Sequence, residues 1–394
     1  MSEWKECIIG NLGKIITGKT PRTAITENYG GNVPFLSPSD NMEVKYVDPT
    51  SKTLTEKGVK EVKNCLLPKN AVCVSCIGSD LGKVLITTQP TVTNQQINSI
   101  IVNEDNDTDF IYYLMTIVGN HLNHISKTST AVPIINKTTF SNYKISVPPL
   151  FEQKKIAAVL SSLDNKIETN RKINARLEEL AQAIFKSWFI DFEPFGGKMP
   201  EDWNTFDFDN VVEVIAGGTP KTEIKEYWDG DIPWISVKDF VNEPHFVMST
   251  ERYISTEGLS HSSTHLLEPN DIIISARGTV GAIAQIKEPM AFNQSCFGLR
   301  SKLKNGSHWL YFLMRNKVSE LKQKSHGSVF DTINRKTLSD LQITVPTTGI
   351  LTIFHCVIST IIQKSLSLSI ESARLADLRD TLLPKLMSGE LIPE

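Results

Sequence analysis

Cys73 and Cys76 form a Cys-x-x-Cys within the run AVCVSCI at 71–77, a spacing that binds zinc or carries thiol–disulfide exchange when its surroundings cooperate. A zinc site needs a second ligand pair, and the remaining cysteines, Cys7, Cys65, Cys296 and Cys356, are scattered. A redox pair belongs at a helix amino terminus, whereas this run is β-branched and strand-like. Small buried side chains are the simpler reading. His121 and His124 lie on a helical pattern and Asp105 and Asp107 in a polar loop, with no His-Glu-x-x-His arrangement around them. The turns AGGTP at 216–220 and GTVG at 278–281 lack the glycine spacing of strand-to-helix phosphate loops and read as tight turns. With no nucleophile beside a base and no paired carboxylates, the expectation is a chain without catalytic residues, resident metal or cofactor.

The elements that carry these residues occur twice. Residues 12–41, LGKIITGKTPRTAITENYGGNVPFLSPSDN, align without a gap to 211–240, VVEVIAGGTPKTEIKEYWDGDIPWISVKDF. The echo continues: Gly58, Leu66-Leu67, Asn70, Ser75 and Gly78 return as Gly258, Leu266-Leu267, Asn270, Ser275 and Gly278. After one extra residue near Asp80, Asn94-Gln95 returns as Asn293-Gln294, and both copies close on a strand-like run and a proline, 145–148 and 343–346. Cys73 and Cys76 fall opposite Ile273 and Ala276, so the Cys-x-x-Cys is not shared by the copies. A duplication of this extent predicts two similar ligands, or two halves of one.

Short β-branched runs at 71–77, 83–88, 97–102, 271–275 and 282–286, with helical patterns at 109–125 and 307–323, predict mixed α+β domains. Between them the periodicity changes. Ile156, Leu160, Leu163, Ile167, Asn170, Asn174, Leu177, Ala181, Ile184 and Trp188 form a heptad seam flanked by charged residues, ending at Pro194 and Gly196-Gly197. The same frame near the carboxyl end reads Phe354, Ile358, Ile361, Ser365, Leu368, Ser372, Leu375, Arg379, Leu382 and Leu386, closing at Ser388-Gly389. A helix of about 37 residues rises roughly 55 Å. Each helix could pack on its own domain, but the seam length and the polar Asn170 and Asn174, which suit register selection in a coiled coil, favour pairing with one another. The expected order is a domain at 1–148, a long helix at 149–193, a second domain at 194–346 and a second long helix at 347–394.

Composition and charge narrow the partner. Of 394 residues, 40% are hydrophobic and 22% charged, which is ordinary for a globular chain. No uninterrupted apolar stretch approaches the ~18 residues of a membrane helix, and a cytoplasmic address without membrane contact is expected. A net charge of −3 argues against gripping nucleic acid by bulk electrostatics. Locally, 300–336 carries Arg300, Lys302, Lys304, Arg315, Lys317, Lys322, Lys324, Arg335 and Lys336 against Glu320 and Asp331, either a nucleic-acid surface or a solvated face.

The tandem Gly-x-Thr-Pro blocks, the SARGTVG turn at 275–281, the Asn293-Gln294 pair, PPLFEQKKIA at 148–157 and LPKLMSGE at 383–390 together resemble the specificity subunit of type I restriction–modification systems over almost the whole chain. The first copy departs from the pattern with Phe35 opposite Trp234 and Ile77 opposite Arg277. The resemblance implies two target recognition domains held apart by an antiparallel pair of helices and no active site. Each domain would read one half of a bipartite double-stranded DNA target. Methyltransferase subunits, two of them, would bind the helices, and motor–nuclease subunits would join the full complex. Candidate DNA contacts are Lys19 and Arg22 in the first copy and Lys221, Arg277, Lys322 and Lys324 in the second. The helix-pairing set is Ile156, Leu160, Leu163, Ile167, Leu177 and Ile184 against Phe354, Ile361, Leu368, Leu375 and Leu382. Two rivals remain: a non-catalytic two-domain protein-binding scaffold, and a self-contained modification enzyme, which would need an Asn-Pro-Pro-Tyr-like motif that is lacking here.

Overall fold

The computed structural model describes residues 4–42, 44–47, 49–78, 80–127, 135–241, 245–325 and 332–393. The chain divides into two units, Met1–Glu168 with Ala373–Glu394, and Thr169–Ser372. Each unit is α+β and includes part of both long helices, Leu150–Phe189 and Thr348–Met387.

In the first unit, Gly13–Thr17, Ile97–Val102, Ala71–Ser75 and Val84–Ile86 lie side by side as an antiparallel sheet. A second sheet runs Lys52–Leu54, Tyr29–Leu36, Thr91–Thr93, Leu66–Leu67, with its central pair parallel. Ala71–Ser75 is buried at every position because both of its faces are covered. Val72 and Val74 meet Phe110, Ile111 and Met115 of the helix Thr108–Lys127, while Ala71 and Cys73 meet Leu36, Leu67 and Leu85. Cys76 belongs to the helix-side cluster and Cys73 to the other, since residues three apart on an extended chain point to opposite faces. Burial pushes the Cys73 thiol up to about 12 and that of Cys76 to about 11. Neither is a ready thiolate.

The second unit repeats the plan. Val212–Ala216, Cys296–Ser301, Ile272–Ser275 and Ile283–Gln285 form one sheet, and Arg252–Ile254, Ile232–Ile235 and Ala291–Phe292 the other. Lys5–Ile8 pairs with Lys144–Val147 in the first unit as Asn204–Asp207 pairs with Gln342–Val345 in the second. Asn70 and Asn270 sit at φ 66° and 73°, so the turn before the central strand demands a residue that tolerates the left-handed region. That requirement accounts for their recurrence.

The long helices pack antiparallel within each unit. In the first, Ile156, Ala157 and Leu160 join Leu383, Leu386 and Met387 in one core. In the second, Ala181, Phe185 and Phe189 join Leu351, Phe354, Ile358 and Ile362, with the Phe189 and Phe354 rings edge to face at 4.9 Å. Of the expected seam, Ile156, Leu160, Phe354 and Leu368 are buried, and Leu163, Ile167, Leu177, Ile184, Ile361, Leu375 and Leu382 are half-buried. Phe185 and Phe189 take the deepest places, one residue beyond Ile184 and Trp188. A helix of 3.6 residues per turn drifts by about 20° per heptad against a seven-residue pattern, which brings the next residue onto the seam. Asn170 donates to Glu371 at 2.9 Å and Ser372 at 3.3 Å, and Asn174 to Ser369 at 3.0 Å, so the polar interruption pairs with polar residues of the facing helix.

The helix Thr348–Met387 is long and apolar enough, by length and composition, to cross a membrane. It contains no uninterrupted apolar run of that length, because serines, threonines and charged residues are spaced among its aliphatic residues. One stripe of this helix is buried in the second unit's core, and Ile353, Val357 and Ile370 on other faces are exposed.

Each unit also buries a residue of basic type against the central long helix. Lys45 reaches Ser161 at 2.8 Å, Asp109 at 2.8 Å and Tyr113 at 3.1 Å. At the repeat-equivalent place His245 bridges Glu178 at 2.9 Å and Gln285 at 2.7 Å, and Gln285 accepts from His308 at 3.2 Å. Burial, with His355 and His245 close by, depresses His308 to about 3 from 6.5. Because the unfolded chain takes up this proton first, stability is full above pH 6.5 and falls as the pH drops toward 3, by up to about 1.4 kcal/mol per pH unit. Denaturant midpoints of the parent should therefore fall between pH 6.5 and 4.5 more steeply than those of His308→Asn. Parallel profiles for the two proteins would remove His308 as the source.

Candidate nucleic-acid interface

At one edge of the second unit three loops are tied together. The first, Gly217-Gly218-Thr219-Pro220, leaves the strand Val212–Ala216. A Cβ on Gly217 would stand 2.1 Å from the carbonyl oxygen of Asn293, so only glycine permits this approach. The Gly218 N–H donates to Phe292 O at 2.9 Å, Thr219 Oγ1 bonds Gln294 Oε1, and Trp234 Nε1 donates to Gly218 O at 3.0 Å. The second loop is Asn293-Gln294-Ser295, and the third is the turn after Ile272–Ser275: the Ala276 N–H donates to Ser295 O at 2.8 Å, and Gly278 and Gly281 adopt φ 76° and 81°. Lys221 and Arg277 are exposed on the two loops that flank Gln294.

The first unit builds the same edge. Gly18 approaches Asn94 so closely that a Cβ would meet its carbonyl oxygen at 2.1 Å. The Lys19 N–H donates to Thr93 O at 2.9 Å, Thr20 Oγ1 donates to Gln95 Oε1 at 2.7 Å, and the Cys76 N–H donates to Gln96 O at 2.8 Å. The Thr-Pro and Asn-Gln motifs, far apart in the chain, are thus two sides of one junction. Tyr29 OH donates to Pro21 O at 2.8 Å as Trp228 Nε1 donates to Lys221 O at 3.2 Å, so an aromatic also braces the loop in both copies.

The six candidate contacts separate. Lys19, Lys221 and Arg277 are exposed, and no ion pair is formed by any of them among the described residues. Arg22 gives its Nε to Glu61 at 2.9 Å and its N–H to the same carboxylate at 3.2 Å, while Asn28 holds the other oxygen at 2.8 Å. It fastens the loop's far end. The side chains of Lys322 and Lys324 lie outside the described residues. Three cations of the basic run around them are paired with carboxylates: Arg300 with Asp271 at 2.6 Å, Arg315 with Glu178, and Lys317 with Glu320 at 2.9 Å. Local sequence could not disclose this, because Asp271 and Glu178 lie far away along the chain. Phe35 and Trp234 are both buried, and the indole of Trp234 also hydrogen-bonds the Gly-Gly-Thr-Pro loop. His121 bonds the Tyr143 hydroxyl at 2.6 Å, and among the described residues no cluster of histidine, cysteine and carboxylate groups could hold a metal ion.

Sequence reasoning missed Arg252. Its guanidinium carbon lies 3.4 Å from the centre of the Trp228 ring and 5.5 Å from that of Trp234, on the edge strand Arg252–Ile254. The signal available was its alignment with Lys52, a basic residue at the same place in both copies.

Two α+β units, each presenting the same paired-loop edge, define a protein built by duplication of one domain. The model of the type I restriction modification DNA specificity domain matches residues 1–179 and 200–372, and the chain belongs to that family of DNA-recognising specificity subunits. It is 29% identical to the type I restriction enzyme MjaIX specificity subunit of Methanocaldococcus jannaschii, covering 99% of this chain and 94% of that one. It is 25% identical to the HindI specificity subunit of Haemophilus influenzae over 99% of this chain and 100% of the relative. The crystal structure of the S subunit from M. genitalium shares the fold at a TM-score of 0.61 and 16% identity, covering 100% of this chain and 97% of that one.

Proposed function

We propose that this chain is the non-catalytic DNA reader of a type I restriction–modification complex, with residues 1–148 and 194–346 each reading one half of a bipartite duplex. The observation that carries this is the twice-built edge, on which Thr20–Gln95 and Thr219–Gln294 repeat while the side chains around them differ. A common scaffold with divergent cations suits two half-sites of different sequence. The long helices at 149–193 and 347–394 set the spacing between half-sites and bind two methyltransferase subunits; motor–nuclease subunits complete the assembly. Exposed Ile353, Val357, Ile370 and Leu378 on the carboxy-terminal helix support a protein partner there.

Recognition is differential binding. Cations and backbone donors fix register on phosphates, and a few side chains reach base edges, each good contact discriminating by ~1–3 kcal/mol. Arg277, exposed in the turn that adjoins Gln294, is the leading base reader. Methylation mapping of the chain co-expressed with a methyltransferase subunit tests the whole reading: a bipartite motif is expected, and methylation without one would favour the scaffold alternative. In the same complex Arg277→Ala should weaken specific binding by about 1–3 kcal/mol and relax one base pair of one half-site. Unchanged affinity and motif would remove Arg277 from the interface.

A further inference from the structure

The two copies sort their own cations. Lys19 and Arg277 have no basic counterpart, since Gly218 and Ile77 stand opposite them. Arg22 answers Lys221, and Lys52 answers Arg252. DNA phosphates are the same in every half-site, whereas bases differ. A cation kept at one place in both copies therefore suits the sugar–phosphate backbone, and a cation found in one copy suits a base.

We infer that Arg252 and Lys52 are phosphate anchors, one in each recognition domain, on the edge strand beside the buried aromatics Trp234 and Phe35. Arg252 shows how such an anchor is prepared. Trp228 is held by its hydrogen bond to Lys221 O and meets Trp234 edge to face at 5.0 Å, so the ring under the guanidinium is fixed. The fixed ring beneath the guanidinium limits its rotamer freedom, so its N–H groups lose little on binding a phosphate. No carboxylate forms an ion pair with Arg252 among the described residues, and its neighbour Glu251 pairs with Lys238 at 4.0 Å. The corresponding strand is pinned alike in both copies: Thr250 Oγ1 donates to Arg252 O at 3.0 Å and Thr50 Oγ1 to Lys52 O at 2.6 Å. Both cations are exposed. They occupy the same register, Lys52 opposite Phe35 and Arg252 opposite Trp234.

This inference rests on the DNA-reading function proposed above. Its test is the salt dependence of binding by the assembled specificity–methyltransferase complex to a duplex carrying the motif that the parent methylates. Each phosphate neutralised contributes about 0.9 to the slope of log K against log salt. Arg252→Ala and Lys52→Ala should each lower the slope's magnitude by about 0.9, Arg252→Lys should keep the parental slope, and all three should methylate the parental motif. Parental slopes in both alanine variants would mean that the residues only pack, and an altered motif would mean that they read bases; either result overturns the inference. A parent complex that methylates no bipartite motif sinks the proposed function with it, before any variant is compared.

Discussion

Asp164→Leu should lower the stability of the chain by about 3 kcal/mol, read from denaturant midpoints of the parent and variant. Asp164 stands on the central helix with its side chain 8% exposed, and it accepts from two other elements of the first unit. Arg379 of the carboxy-terminal helix donates at 2.8 Å, and Tyr113 of the helix Thr108–Lys127 donates its hydroxyl to the other oxygen. Burial, reinforced by the Asp164 charge, keeps the Tyr113 phenol protonated and so a donor. Leucine would leave both donors facing an apolar side chain. Removing one partner of a buried ion pair costs about 3–5 kcal/mol. The low end applies here, because Arg379 retains Asp380 at 2.8 Å and is partly exposed. Asp380→Ala, at an exposed residue, serves as the control. A change for Asp164→Leu within the ~0.5 kcal/mol of ordinary surface substitutions would show that the network is incidental.

Inserting four residues between Glu168 and Lys172 should lengthen the gap between the two half-sites by one or two base pairs and leave both half-site sequences unchanged. Four helical residues add about 6 Å, against about 3.4 Å per base pair of duplex. The central helix is continuous from Leu150 to Phe189, so the added length enters a rod. The insertion also moves Asn170 away from Glu371 and Ser372 relative to Asn174 and Ser369, and a four-residue insertion locally unwinds a heptad seam. Some of the rise is absorbed there, which is why one base pair is the lower value. Methylation mapping of the parent and insertion complexes decides it. An active complex with an unaltered gap, or with altered half-sites, would mean that the helices are not the ruler.

Much of the site was legible as motif and little of it as contact. Gly-x-Thr-Pro and Asn-Gln recur in both copies, and that recurrence marked them as important to the scaffold. Their meeting, Thr20 on Gln95 and Thr219 on Gln294, spans 75 residues in each copy and has no local signature. The basic run at 300–336 misled for the same reason. Its arginines look free along the chain, yet Arg315 turns to Glu178, 137 residues away. Arg22, exposed at the candidate edge, is also held by Glu61 from 39 residues off.

The amino-acid sequence by itself determined the duplication, the α+β character of each copy and the two long helices, because repeats and hydrophobic periodicity are local patterns that survive without knowledge of the fold. It also argued against zinc or redox chemistry at Cys73 and Cys76, since no second ligand pair is evident and the second copy has Ile273 and Ala276 in their places. Tertiary structure alone decided which charges are spent inside the protein and which remain for a ligand. Lys45 and His245 are unlike in type and unremarkable in sequence, yet each is buried and fastens a domain to the central helix. Burying a polar or charged side chain is tolerable only where partners from other elements satisfy it, and those partners become neighbours only when the chain has folded.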